Sequence, residues 1–140
     1  MNGLFKFKHE LKNKYHALQS YQANLKYNFP FKKLKINGVT GTDGKTTTTQ
    51  MIYHIMKANG FKVAYLSTIS AQIGDTKIDT GLHVTTPDPW DVPKYLQMMV
   101  DAGIEYVVME ATSQGLEQNR LWGIQFEAVA ITNIKSDHPI

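Results

Sequence analysis

Residues 38–49, which read GVTGTDGKTTTT, constrain the fold of this chain more than any other stretch. The residues before them alternate between apolar and polar types and run into Val39, a pattern typical of a buried strand. After them, apolar residues recur at helical spacing, and Gly60 is placed to end a helix; these residues are Met51, Ile52, Ile55 and Met56. The stretch is therefore predicted to be a strand-to-helix turn.

A glycine-rich turn of this kind directs backbone N–H groups and the positive end of a helix dipole at one point, which suits a phosphate chain. Lys45 adds a positive charge, and Thr46 offers a hydroxyl to Mg²⁺. The general P-loop spacing would require glycine at position 39, where the chain has valine. The sequence instead carries the shorter form GTDGKTT. A tight turn without ligand is the alternative interpretation.

The rest of the chain alternates predicted strands and helices, which indicates an α/β fold with a mostly parallel sheet and helices on its faces. Strands are expected in FKKLKINGV, FKVAYLSTI, IEYVVME and FEAVAITNI, with a hairpin around Gly74. One further helix is expected to bury Val92, Tyr95, Leu96, Met99 and Val100 and to end at Gly103. The fold class predicted is a P-loop three-layer sandwich, incomplete at its C-terminus.

Charge divides the chain into two parts. Residues 1–36 hold eight lysines and one acid, a net +7, whereas the remaining residues hold seven basic and eleven acidic side chains, a net −4. Within residues 1–33, Leu4, Leu11, Leu18 and Leu25 recur every seven positions, which predicts a basic amphipathic helical extension. Docking of the leucines on the chain's own domain is the favoured interpretation; contact with a membrane surface or an acidic partner is the alternative.

Composition excludes several functional classes. No stretch approaches the ~20 apolar residues of a membrane span, and no signal-peptide core is evident at the N-terminus. The chain has no cysteine, which excludes disulfides and thiolate-bound metals and fits a cytoplasmic protein. Nucleic-acid binding is disfavoured because the basic excess stops where the phosphate-binding motif begins.

Polar residues at other predicted strand ends are candidates for the same site. Glu110 ends the run VVME, where a carboxylate could hold Mg²⁺ or simply lie solvated at an edge. Gln118 and Arg120 could together bind a carboxylate or phosphate through hydrogen bonds. Taken alone, the position of His138 indicates a surface or capping residue. Thr85 and Thr86, which precede Pro87, indicate an ordinary turn.

Taken together, the motifs resemble the ATP-binding central domain of the Mur ligases, which add amino acids to the peptidoglycan precursor. The resemblance covers about residues 34–138, in the order GVTGTDGKTTT, TTPD, VVMEATSQGLEQNR and AITNIKSDH. Within the family, the sequence is most similar to members that extend UDP-MurNAc-dipeptide. Residues 34–140 are accordingly expected to be the N-terminal part of such a domain.

The resemblance implies a role for each matching residue. The residues expected to wrap the ATP phosphates are Gly41, Thr42, Asp43, Gly44, Lys45, Thr46 and Thr47. Mg²⁺ is expected on Thr46, Glu110 and His138, and Lys45, Glu110 and His138 are the implied catalytic residues. The muramoyl dipeptide is expected to contact Thr85, Thr86, Thr112, Gln118 and Arg120.

The implied reaction is that of an ATP-dependent carboxylate–amine ligase. ATP phosphorylates a carboxylate, and an amine displaces phosphate from the acyl phosphate. The chain ends at Pro139-Ile140, where the family's central domain continues, so we expect weak ATP binding without ligation, together with association through the basic helix or an exposed sheet edge. The alternatives are a non-catalytic nucleotide-binding module and a folylpolyglutamate or poly-γ-glutamate type ligase.

Overall fold

The computed structural model of the chain describes residues 3–80 and 88–135, with side chains from residue 6 onward. In that part of the chain, four α-helices and six strands are formed. In chain order they are α1 (Gly3–Lys26), β1 (Lys35–Thr40), α2 (Lys45–Ala58), β2 (Val63–Leu66), β3 (Ser70–Ile73), β4 (Thr76–Asp79), α3 (Asp91–Asp101), β5 (Tyr106–Glu110), α4 (Ser113–Glu117) and β6 (Phe126–Ile131). A short 3₁₀ turn, Pro30–Lys33, links α1 to β1.

The strands form one mixed sheet in the order β4-β3-β2-β5-β1-β6. Four of them, β2, β5, β1 and β6, run parallel, and β3 and β4 extend the sheet as antiparallel strands. The predicted hairpin is confirmed, because β3 and β4 pair across a turn at Gly74, where φ is +60°. The parallel strands place their carboxyl ends along one edge, and that edge carries the candidate site.

Helix α3 covers one face of the sheet. It buries one apolar stripe against alternate residues of the central strands, as the sequence predicts, and Gly103 follows its end with φ +75°. The buried set includes Val92, Leu96 and Met99 from α3, with Leu66, Val107 and Met109 from the strands.

Helix α2 covers the opposite face, so the helices and sheet form three layers. Tyr53 packs there with Val39, Val63, Tyr65 and Val108. The buried face of α2 does not coincide with the apolar residues at helical spacing in the sequence. Two of these, Met51 and Ile55, point outward and are 59% and 61% exposed.

Strand β6 forms an edge of the sheet and is poorly covered. Val129 is 55% exposed and Ile131 is 60% exposed. At its start, Phe126 lies over Gly38 in β1; a Cβ on residue 38 would come within 2.9 Å of the ring. The glycine therefore lets β6 approach β1 closely.

The favoured interpretation of the leucine stripe on α1 is wrong for its described side chains. Leu11, Leu18 and Leu25 are 59%, 54% and 57% exposed. The docked face of α1 is instead polar or small: Ser20, Ala23 and Asn24 are buried. The Ser20 hydroxyl donates to the backbone oxygen of Asn119 at 3.1 Å. Helical periodicity alone did not reveal which face the domain would cover.

Candidate functional site

The site lies where β1 and β5 end side by side. The two strands are parallel neighbours, and their register pairs Val39 with Glu110. The backbone continues this alignment past the strands, since Ala111 N donates to Val39 O at 2.8 Å. The glycine-rich turn after β1 is thereby brought next to the carboxylate that ends β5.

The glycines shape this turn, residues 41–44, which we call the phosphate loop. Gly41 has φ +136° and Gly44 has φ +80°, both in the region that favours glycine. A side chain on Gly41 would also collide with the Thr132 hydroxyl. Gly44 is the N-cap of α2, so the helix begins at Lys45 and its positive dipole end faces the loop.

Lys45 folds back over the phosphate loop. Its Nζ donates to Gly41 O at 2.8 Å and to Thr42 O at 2.9 Å. The ammonium group is therefore held at the loop itself, where it can exchange carbonyl oxygens for phosphate oxygens.

Thr46 and Glu110 meet directly. Thr46 Oγ1 donates to Glu110 Oε2 at 2.9 Å, and Thr68 N donates to the same oxygen at 3.3 Å. Glu110 is only 8% exposed, so this carboxylate is buried with a hydroxyl and an amide beside it. The contact therefore joins the end of β5 to the segments that follow β1 and β2.

This donor set fits a magnesium ion. Mg²⁺ prefers oxygen ligands and is commonly held by one or two protein oxygens together with waters and phosphates. A carboxylate and a hydroxyl 2.9 Å apart at the start of a helix supply such oxygens. Within residues 3–80 and 88–135, no cluster of three or more His, Asp or Glu side chains offers a metal site of its own.

The segment after β6 also contacts the phosphate loop, which sequence reasoning did not single out. Asn133 Oδ1 accepts hydrogen bonds from Thr42 N at 3.1 Å and from Asp43 N at 3.0 Å. Lys135 Nζ lies 3.0 Å from Asp43 Oδ2, where both side chains are largely exposed. The sequence predicts a strand in FEAVAITNI and carries the motif AITNIKSDH, but neither pattern pairs Asn133 with the loop.

A cleft of about 760 Å³ opens beside the loop, and Lys45, Thr112 and Asn133 are among its lining residues. Thr112 is also the N-cap of α4, where its Oγ1 accepts from Gly115 N at 3.0 Å. Gln118 is buried, and its Oε1 accepts from Arg120 Nε at 2.9 Å. Of the predicted substrate residues in the described part of the chain, Thr112 lies just before α4 and lines the cleft, whereas Gln118 and Arg120 follow α4 and are not among the lining residues of the cleft.

Three predicted site residues, Thr85, Thr86 and His138, lie outside the described residues. Their expected roles in substrate and metal binding stay predictions.

A smaller cavity of about 360 Å³ lies at the other end of the sheet, lined by Tyr53, Lys57 and Phe61 among others. Lys57 Nζ lies 3.7 Å from Asp75 Oδ1. The pKa of Lys57 is raised, mainly by a hydrogen bond with the Tyr53 side chain. Ligands of parallel α/β sheets bind at the carboxyl ends of strands, so this cavity is the less suitable candidate.

Comparison with known proteins agrees with the motifs. The family described as Mur ligase middle domain matches residues 39–139. A UDP-N-acetylmuramoyl-L-alanyl-D-glutamate–2,6-diaminopimelate ligase of Clostridium tetani is 43% identical over 129 residues, which is 92% of this chain and 26% of the relative. The ligase of the same name from Clostridium perfringens is 45% identical over 109 residues, 78% of this chain and 22% of the relative.

A solved structure of a protein with that name also superposes on this chain. The TM-score is 0.72 at 27% identity, and the match covers 87% of this chain and 25% of the other. The chain therefore spans about a quarter of the length of these relatives.

Proposed function

The chain belongs to the Mur ligase family, and from that premise we propose that it forms the nucleotide-binding part of an ATP-dependent carboxylate–amine ligase. The observation that carries the proposal is the hydrogen bond of 2.9 Å between Thr46 and Glu110. It joins the helix that follows the phosphate loop to the end of the neighbouring strand, so one metal-bound triphosphate could contact both.

The residues of the loop would bind and orient ATP. Lys45 would neutralise charge on the phosphates, and the backbone N–H groups at the start of α2 would donate to phosphate oxygens. Residues Gly41 to Thr47 together form this proposed site. Lys45 Nζ is already held at the loop by two carbonyl oxygens, so it can bind phosphate by exchanging these oxygens for phosphate oxygens, without a large movement of the side chain.

Thr46 and Glu110 would hold Mg²⁺, with His138 as a further proposed ligand. The ion, when bound, supplies charge neutralisation for the transferring phosphoryl group. Glu110 suits this role because its burial keeps the carboxylate away from bulk water while leaving it in reach of Thr46.

The proposed reaction is the activation of a carboxylate followed by amide formation. The substrate carboxylate attacks the γ-phosphorus of ATP, and ADP leaves. The amine then attacks the acyl carbon of the acyl phosphate, inorganic phosphate leaves, and the nitrogen loses a proton as the amide forms. Such phosphoryl transfer depends chiefly on positioning and charge neutralisation. Lys45 and the loop amides provide both, and the chain needs no nucleophile of its own.

We propose UDP-MurNAc-dipeptide as the carboxylate substrate and an amino acid as the amine, in peptidoglycan precursor synthesis. The names of the relatives specify UDP-N-acetylmuramoyl-L-alanyl-D-glutamate and 2,6-diaminopimelate, which makes these the first substrates to test. Thr112, Gln118 and Arg120 would contact the dipeptide, together with Thr85 and Thr86. The same names favour this substrate over a folate or poly-γ-glutamate chain.

Residues 34–140 would constitute the family domain and residues 1–33 an extension with a separate role. Among the described residues, none of the helices contains an apolar stretch that could span a bilayer. A cytoplasmic location is proposed because the reaction requires ATP and a nucleotide-linked substrate. The exposed leucines of α1 and the uncovered strand β6 are the surfaces through which we expect the chain to associate.

A segment exchange tests this function against that of a non-catalytic nucleotide-binding module. Residues 34–140 would replace the matching segment of the Clostridium tetani relative, and phosphate release would be measured with and without the two substrates. A ligase segment should retain substrate-dependent release, and Lys45→Ala should abolish it. A chimera that binds ATP but shows no substrate-dependent release would favour the module.

The isolated 140-residue chain is expected to bind ATP weakly and not to complete ligation, because it corresponds to about a quarter of the length of the relatives. Robust amide formation by the purified chain would contradict this expectation.

A further inference from the structure

The side chain of Asn133 is bonded to the phosphate loop through both ends of its carboxamide. Its Oδ1 accepts from two consecutive backbone amides, Thr42 N at 3.1 Å and Asp43 N at 3.0 Å. Its Nδ2 donates to Asp43 O at 3.2 Å. Because a carboxamide is both acceptor and donor, one side chain satisfies three backbone groups of the loop.

Neighbouring residues reinforce the same contact. Thr132 Oγ1 donates to Asp43 O at 2.6 Å, and Lys135 N donates to Thr42 Oγ1 at 3.0 Å. The absence of a side chain at Gly41 lets residues 132 and 133 approach this closely. The segment after β6 therefore lies against the first half of the loop and fixes its conformation.

This arrangement divides the backbone donors of the phosphate loop and of the first turn of α2 into two groups. The amides of Thr42 and Asp43 both donate to Asn133 Oδ1. In other loops, two consecutive N–H groups of this kind form a nest that binds an anion, and here the Asn133 oxygen occupies that position. The amides of Gly44, Lys45, Thr46 and Thr47 lie at the start of α2, before Thr48 N, which makes the first internal hydrogen bond of the helix by donating to Gly44 O at 2.9 Å. These later amides are the ones left for phosphate.

We propose that Asn133 is a positioning residue that pre-orders the phosphate loop, so that ATP phosphates bind the amides of residues 44–47 without first ordering residues 42–43. The inference rests on the proposed nucleotide binding at this loop. Pre-ordering increases affinity because the loop loses its conformational freedom before the ligand arrives.

Amide hydrogen exchange of the ligand-free chain tests the positioning directly. Asn133→Ala should accelerate exchange at Asp43 by about tenfold, the factor that corresponds to one net hydrogen bond of ~1.4 kcal/mol. Exchange in strand β5 should stay unchanged, which separates loop release from general unfolding. Asn133→Asp keeps the acceptor for the two amides but loses the Nδ2 donor to Asp43 O, so it should restore the protection only in part. Unchanged exchange at Asp43 in Asn133→Ala would overturn the proposal.

Titration with Mg²⁺ and a non-hydrolysable ATP analogue tests the consequence for binding. Asn133→Ala should raise the Kd by about tenfold, whereas Asn59→Ala is the matched control. Asn59 follows the far end of α2, where its Nδ2 donates to Ile55 O at 2.7 Å, so the same substitution there should change the Kd less than about twofold.

The outcomes separate this inference from the proposed function. Wild-type binding that Lys45→Ala weakens but Asn133→Ala leaves unchanged would overturn the role of Asn133 alone. Absence of binding by the wild type would overturn the proposed function and the nucleotide role of Asn133, while the exchange result still decides whether Asn133 orders the loop.

Discussion

Replacing Thr46 with valine removes one hydroxyl from the contact that joins α2 to β5, and it preserves the shape and β-branching of the side chain. Glu110 then loses a hydrogen bond of 2.9 Å and keeps the longer one, of 3.3 Å, from Thr68 N. Hydrogen bonds to charged groups contribute about 1.5–3 kcal/mol. Since Glu110 is 8% exposed and retains one donor, the lower end of that range applies.

We therefore expect Thr46→Val to lower the free energy of unfolding by about 1.5 kcal/mol, or the Tm by roughly 5 °C. Thermal and urea unfolding followed by circular dichroism at pH 7 without Mg²⁺ would measure the change. Thr48→Val, the same substitution one half-turn further along α2, is the matched control and should change stability by less than about 0.5 kcal/mol.

A double-mutant cycle with Glu110→Ala, which removes the acceptor, assigns the loss to this pair. The coupling free energy between positions 46 and 110 should be about 1 kcal/mol. A coupling near zero, or equal losses in Thr46→Val and Thr48→Val, would show that this contact does not join α2 to β5.

Three further predictions follow from the same geometry. Lys45→Ala should raise the Kd for Mg²⁺-ATP at least about tenfold, while Lys57→Ala, at the other end of the sheet, leaves it unchanged; equal Kd values for both variants in calorimetry would count against the site. Gly41→Ala should destabilise the chain by about 2 kcal/mol in urea unfolding, because φ is +136° and a Cβ meets Thr132; a loss below ~0.5 kcal/mol would contradict this. Leu11→Gln with Leu18→Gln should reduce concentration-dependent association in analytical ultracentrifugation, and unchanged sedimentation would exclude α1 as the associating surface.

Local patterns were sufficient for much of the fold. The run through Val39, the glycines and the helix after Gly44 was predictable because strand alternation, a turn and helical spacing follow one another without interruption. The stripe of α3 was predictable for the same reason, since Val92, Leu96 and Met99 face a single layer. The face of α1 was not, because its polar residues dock through hydrogen bonds such as that of Ser20.

The candidate site, too, could be predicted from the sequence only in part. Lys45 and Thr46 lie in a local motif, and Glu110 lies at the end of an obvious buried strand, so the sequence placed all three at one edge. Asn133 depends on sheet order: only the placement of β6 beside β1 brings it to the loop. Strand order is set by long-range packing, which a single sequence does not display.

Under the proposed function, the ends of β1 and β5 together bind a magnesium-bound triphosphate. Backbone NMR of the chain titrated with Mg²⁺ and a non-hydrolysable ATP analogue is the decisive measurement, because it also detects weak binding. Saturable, Mg²⁺-dependent shifts are expected at the amides of residues 44–47 and at Glu110, and they should be lost in Lys45→Ala. Shifts confined to the cavity around Lys57 and Phe61, or no shifts at any ligand concentration, would contradict it.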